Sequence, residues 1–270
     1  MTTQFSLSSL GWRPFFLQQM TLDELEHCRP GRIVQQHRNQ LQVATEADVI
    51  DIPILPAMPP IVVGDWILLD NEGQFLRLLE RLSLFSRKAA GSRVKEQLIA
   101  SNVDTAFLVT SLNQDFNLSR IERYLTLIHE AGVEPVLVMT KADLVASAED
   151  QITAARTLDP MLMIETVNAL DGTSVGKLAP WCGEGRTVLF IGSSGVGKST
   201  LVNTLMNDSL QPTRGIREDD AKGRHTTTGR SLHLLPGGGL LLDTPGMREL
   251  QLADVEDGLE RTFADITALA

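Results

Sequence analysis

Cysteine, positive charge and long apolar runs are all in short supply in this chain. Its 270 residues hold two cysteines, Cys28 and Cys182. Neither belongs to a C-x-x-C pair, so no disulfide framework and no thiolate zinc site is expected; two unbridged thiols in a reducing cytoplasm are. No apolar run reaches membrane-spanning length. Residues 1–10 have no basic region leading into an apolar one, so no secretory signal is expected. Lys and Arg number 24 against 34 Asp and Glu, a net charge of −10, which argues against indiscriminate nucleic-acid binding.

What is present supports a real core: 43% of residues are hydrophobic, in a chain long enough for one large domain or two ordinary ones. Charge is uneven. Residues 81–95 carry Arg81, Arg87, Lys88, Arg93 and Lys95 with no acid, whereas residues 243–270 are strongly acidic.

In chain order, residues 1–30 read as an N-terminal arm, extended at Gly11–Phe16, with one short helical stretch at 21–27 capped by Thr21 and Glu24. Strands are expected at 32–38, 41–46, 49–55, 61–69 and 74–81, separated by turn signals. Five short strands over 31–85 suggest a small closed β-barrel, an OB-fold, with an SH3-like barrel as competitor. Few aromatics are available there for base stacking, which favours reading of backbone or shape over reading of bases. Residues 84–91 form a basic connection, and a domain boundary is placed there. From 86 to 255 apolar strands alternate with helices, the pattern of an α/β domain with a mostly parallel sheet. Residues 256–270 begin a C-terminal segment.

An apolar strand at 188–191 runs into Gly192, Ser193, Ser194, Gly195, Val196, Gly197, Lys198, Ser199 and Thr200. This fits the G-x-x-x-x-G-K-[ST] phosphate loop, and a helix is expected at 201–206. Glycines let backbone N–H groups turn around phosphate oxygens, and the helix N-terminus adds partial positive charge. Lys198 is expected at the β/γ-phosphates and Ser199 on Mg²⁺.

Strand 240–242 ends in Asp243-Thr244-Pro245-Gly246. Asp243 suits Mg²⁺ held through water, and the Gly246 N–H suits the γ-phosphate. Strand 135–139 leads into Thr140, Lys141, Ala142 and Asp143, a match to N/T-K-x-D guanine recognition. A carboxylate at Asp143 can accept from guanine N1–H and the 2-amino group, a donor pair that adenine lacks. After the next strand, Asn168 and Ala169 occupy the place of a Ser-Ala pair, with the Ala169 N–H facing guanine O6. Between the phosphate loop and Asp243 lies Gly223-Arg224-His225-Thr226-Thr227-Thr228-Gly229. Thr227 is chosen by spacing as the Mg²⁺-ligating switch threonine, with Thr226 and Thr228 left open. Met247 stands where many GTPases carry a water-orienting Gln. His225 is the nearest candidate for that task, against a solvated or RNA-contacting histidine.

The base-reading motif precedes the phosphate loop, the reverse of the ordinary order, so a circularly permuted GTPase domain is expected. At this point the chain resembles the RsgA (YjeQ) family of small-subunit-dependent GTPases. The resemblance rests on Gly64-Asp65-Trp66, residues 85–91, 102–113 with Asp115-Phe116-Asn117, and the motifs above in permuted order. It implies an OB-fold that docks on 16S rRNA, and GTP hydrolysis stimulated by the small ribosomal subunit during late maturation. It also implies a role for the switch-loop histidine. The expected partners are the small subunit and a guanine nucleotide, with no membrane, the chain acting as a monomer. The family continues into a zinc domain; residues 263–270 fall where it would begin, no ligand set is present, and zinc is not expected. A P-loop ATPase or kinase, and a nucleotide-gated RNA-binding module with little turnover, are the rival readings.

Overall fold

The computed structural model describes residues 5–88, 96–113, 116–207 and 230–243. His225, Thr227, Gly246 and Met247, with residues 89–95 and 256–270, lie outside the described residues.

The N-terminal segment is not extended where the sequence suggested an arm. Pro14 opens a helical turn, α1 (Pro14–Leu17), because its fixed φ suits the first helical position. Phe16 is buried there. Trp12 meets Trp66 edge-on at 4.9 Å between centroids, and Phe16 lies 5.7 Å from the same ring. This aromatic cluster anchors the segment through apolar burial and ring geometry. Helix α2 (Leu22–His27) carries the expected capping box between Thr21 and Glu24. Glu24 also takes Arg77 on both carboxylate oxygens, at 2.6 and 2.9 Å. That pairing, helped by the Thr21 N–H, brings its carboxyl down to about 2.

Five antiparallel strands follow: β1 (Arg29–Gln36), β2 (Gln40–Ala44), β3 (Val49–Pro53), β4 (Trp66–Leu69) and β5 (Phe75–Leu78). They pair in the order β5-β4-β1-β2-β3, with no pairing between β3 and β5. The strand expected at 61–69 is confined to its second half. Gly64 turns the chain at φ +96°, where a Cβ would lie 2.1 Å from the Ser101 carbonyl oxygen, and Asp65 accepts from the Val62 N–H at 2.8 Å.

The basic connection opens a hairpin: β6 (Leu84–Lys88) pairs with β7 (Glu96–Ser101) in its own two-stranded sheet. Phe85 and Ile99 are buried, while the Arg87 guanidinium donates to Gln97 at 2.9 Å. The buried positions are irregular, Phe85 on β6 but Ile99, Ala100 and Ser101 in succession on β7, so there is no alternation to read as a period.

The α/β part contributes β8 (Thr105–Ser111), β9 (Glu134–Thr140), β10 (Met163–Thr166), β11 (Thr187–Ile191), β12 (Arg230–Leu234) and β13 (Leu240–Asp243). They run in the order β10-β9-β8-β11-β13-β12. All neighbouring pairs are parallel except β12 with β13. Helices α3 (Leu118–Glu130), α4 (Glu149–Arg156), α5 (Gly172–Val175) and α6 (Lys198–Asn207) connect them. Alternate residues of each strand feed two cores: Leu108, Leu137 and Leu189 on one face, Phe107, Val136 and Phe190 on the other. The sheet does not stop at β12, which pairs antiparallel with β1 through Gln35 and Gln36, giving eleven strands across both regions.

Two buried polar groups fasten the regions together. Arg32 on β1 donates to the Leu10 carbonyl, to the Asn102 carbonyl at 3.1 Å and to the Thr187 hydroxyl on β11 at 2.8 Å. Burial lowers its pKa to about 10, against the opposing pull of Asp104. Asp65, with no exposed surface, takes both arms of the Arg81 guanidinium at 2.7 and 2.8 Å and the Ser101 hydroxyl at 2.5 Å. Arg81, counted in the basic stretch, is thus committed inward. Removing one partner of a buried pair strands the other charge. Asp65→Ala is therefore expected to lower unfolding stability by about 3–5 kcal/mol, measured by urea titration; a loss near zero would show the pair to be dispensable.

Candidate functional site

Parallel pairing places the C-terminal ends of β8, β9, β10, β11 and β13 at one edge of the sheet. A ligand-binding crevice belongs at that edge in an open α/β sheet. The sequence motifs sit on those ends: Thr140–Asp143 after β9, Asn168 and Ala169 after β10, Gly192–Thr200 after β11, and Asp243 closing β13.

The phosphate loop begins at Gly192, whose φ of +138° and 2.1 Å virtual Cβ contact with the Val109 carbonyl oxygen exclude any other residue. Val196 is buried and pins the loop, whereas Ser194, Gly195 and Ser199 are exposed. Helix α6 begins at Lys198, earlier than the expected 201, so its first turn and unpaired N–H groups belong to the loop itself. The Lys198 ammonium folds back on the loop, donating to the Gly192 carbonyl at 2.6 Å and to the Ser193 carbonyl.

Thr140 is fully buried. Its hydroxyl lies 2.6 Å from the Val196 carbonyl oxygen and 3.2 Å from that of Thr110. A hydroxyl has one proton, and the shorter contact assigns it to Val196. Thr in place of Asn therefore keeps a direct tie between base-reading strand and phosphate loop. Lys141 adopts left-handed backbone, φ +60°, and Asp143 sits exposed on a 3-10 turn, Ala142–Leu144. The Ala142 N–H reaches the Val167 carbonyl at 3.3 Å, joining the two base-side loops.

Asn168 shapes its loop. Its amide N–H donates to the Ser174 hydroxyl at 2.9 Å, and its side-chain oxygen accepts from the Leu170 N–H at 3.0 Å. The Ala169 carbonyl accepts from Thr204 of α6 at 2.7 Å. Thr204 is a second tie between the halves, and Arg120 of α3 donates to the Ser193 hydroxyl at 2.7 Å. Sequence reasoning singled out neither. Both sit on helical surfaces where polar residues are ordinary, and no fixed spacing joins either to a motif. Among the described residues, no three His, Cys, Asp or Glu side chains gather as a metal-holding group. One hydroxyl and one carboxylate, those of Ser199 and Asp243, are oxygen donors of the kind that suits Mg²⁺ beside phosphates.

A model of the RsgA GTPase family matches residues 78–253. The chain is 59% identical over 269 residues to a Vibrio parahaemolyticus protein named small ribosomal subunit biogenesis GTPase RsgA 2, covering all of this chain and 75% of that protein. The chain belongs to the RsgA GTPase family. A Mesorhizobium japonicum RsgA, also named a small ribosomal subunit biogenesis GTPase, is 46% identical over 98% of this chain and 78% of its own length. Among solved structures, YjeQ from Thermotoga maritima superposes with a TM-score of 0.61 at 25% identity, over 83% of this chain and 77% of that one. YloQ, described as a circularly permuted GTPase, gives 0.60 at 22% identity over 87% and 77%. The permuted GTPase fold of this RsgA-family chain agrees with the reversed motif order.

Thr140→Val keeps the shape but leaves the buried Val196 carbonyl without its donor, which costs about 1–3 kcal/mol. Guanine-nucleotide affinity is expected to fall about 5- to 150-fold, measured by fluorescent-nucleotide titration. Unchanged affinity would mean that the tie does not organise the pocket.

Proposed function

We propose that this chain binds GTP at the sheet edge, hydrolyses it to GDP and phosphate, and serves in biogenesis of the small ribosomal subunit. The observation that carries the nucleotide reading is the pair of hydrogen bonds, Thr140 to Val196 and Thr204 to Ala169, that lock a base-reading half onto an anion-gripping half. The ribosomal reading rests on the relatives, which are named for that role.

In this reading the Asp143 carboxylate accepts two guanine N–H groups and selects GTP over ATP. The Ala169 N–H faces the base carbonyl, and the Lys141 stem lies along the ring. The N–H groups of Gly192–Thr200 and of the first turn of α6 surround the phosphates. Lys198 leaves its two loop carbonyls for the β/γ oxygens. Ser199, Asp243 and Thr227 would hold Mg²⁺, which, when bound, offsets charge on the β- and γ-phosphate oxygens. His225 orients the attacking water, a task that Met247 cannot perform. Gly246 contacts the γ-phosphate, and 16S rRNA meets the N-terminal β region and the basic stretch beyond Arg81. We place an N-terminal segment at 1–30, an OB-type β region at 31–85 and the GTPase domain at 86–255, in a cytoplasmic monomer.

Lys198→Ala is expected to abolish GTP hydrolysis, and Asp143→Asn to cut the GTP-over-ATP preference about tenfold or more, the scale of losing hydrogen bonds to a charged group. Phosphate release with and without purified small subunits checks the first; competition by ATP against labelled GTP checks the second. An intact preference in Asp143→Asn would remove that residue from base selection. Turnover indifferent to small subunits would favour a chain whose partner lies elsewhere.

A further inference from the structure

The phosphate loop is served by two cations, and the motif accounts for one. The Lys198 ammonium binds the main-chain oxygen of Ser193, and the Arg120 guanidinium binds its side-chain oxygen at 2.7 Å. Arg120 comes from another part of the chain, 73 residues away, on the opening turn of α3. That turn is fixed by Asn117, whose side chain accepts from the Arg120 N–H at 2.9 Å. Arg120 and Ser193 are both half-buried, so the contact between them is partly shielded from water and its charge less screened.

The end of the loop on which Arg120 acts follows from Lys198. The lysine of such a loop serves the β- and γ-phosphates, and in this structure its ammonium rests on the carbonyls of Gly192 and Ser193. The loop's first two residues therefore flank the space of the terminal phosphate. The α-phosphate side is built from the other end, past Ser199, by the N–H groups of the first turn of α6.

We infer that Arg120 is a positioning residue for the terminal phosphate: through the Ser193 hydroxyl it fixes the opening of the phosphate loop and adds positive charge beside the γ-phosphate, so that the site holds GTP more strongly than GDP. The inference rests on the nucleotide reading above. A planar guanidinium with several fixed donors suits this task, because it holds the loop through a directed N–H and stays charged while doing so. It also supplies from within the chain a positive charge of the kind that stabilises phosphoryl transfer.

The test uses the whole chain with fluorescent GTP and GDP, in the parent, Arg120→Gln, Ser193→Ala, the double variant and Lys198→Ala. Arg120→Gln is expected to raise the Kd for GTP about tenfold, the scale of losing a hydrogen bond to a charged group, while the Kd for GDP stays within about twofold. Ser193→Ala is expected to do the same, and the double variant to lose no more than either single one, as befits two partners in one contact. Equal losses for GTP and GDP would reduce Arg120 to scaffolding and overturn the inference, as would additive losses in the double variant or an unchanged GTP affinity. Should Lys198→Ala still bind GTP as tightly as the parent, the nucleotide reading itself falls, an outcome separate from failure of the Arg120 arms.

Discussion

One hydroxyl proton, shared between Thr140 and the Val196 carbonyl, holds the site together. Thr140 ends β9, and Val196 lies in the loop that follows β11, with β8 between those strands in the sheet. Strand β9 delivers the residues that read a base, and the loop delivers the backbone that grips an anion. Neither works unless the distance between them matches a nucleoside phosphate. A buried bond of 2.6 Å sets that distance more firmly than packing alone, because breaking it leaves an unsatisfied carbonyl in the interior. Thr204 repeats the device from the far side of the pocket, so the two halves are pinned at two points.

Chain order is irrelevant to this geometry. The sheet needs β8, β9, β11 and β13 side by side and parallel, and the pairing registers provide that. Cutting the chain elsewhere and joining the old ends leaves every one of these contacts in place. The permutation acts instead on what surrounds the pocket. The strand that carries Asp243 is flanked by β12, and β12 by β1 of the N-terminal region.

Much of this was legible in the residues. The phosphate loop, the base motif and the alternation of strands and helices from Thr105 onward depend on local spacing, and spacing survives in one dimension. Three things were not. The turn at Pro14 and the burial of Phe16 depend on Trp66, fifty residues away, so that an apparently loose arm is core. The β6–β7 hairpin was hidden because its basic residues outweighed a few irregularly placed buried positions, Phe85, Ile99 and Ala100 among them. In the sequence Arg81 is simply one of five basic residues in a run without an acid, and only the fold shows it spent on Asp65. Thr204 and Arg120 escaped notice for a related reason: a polar residue on a helix gives no sign of what it faces.

The backbone ladder from β13 through β12 to β1 means that the nucleotide pocket and the N-terminal strands are woven into one fabric. Ser231 is bracketed by Asp243 on one side and Gln35 on the other, and Arg230 reaches across to the Leu98 carbonyl of the hairpin at 3.0 Å. Strands in such a ladder sit about 4.8 Å apart and resist sliding, since a slip of one residue turns every side chain to the wrong face. A displacement of the strand ending in Asp243 would therefore be passed to β12 and, through its two registered pairs with β1, to the N-terminal strands.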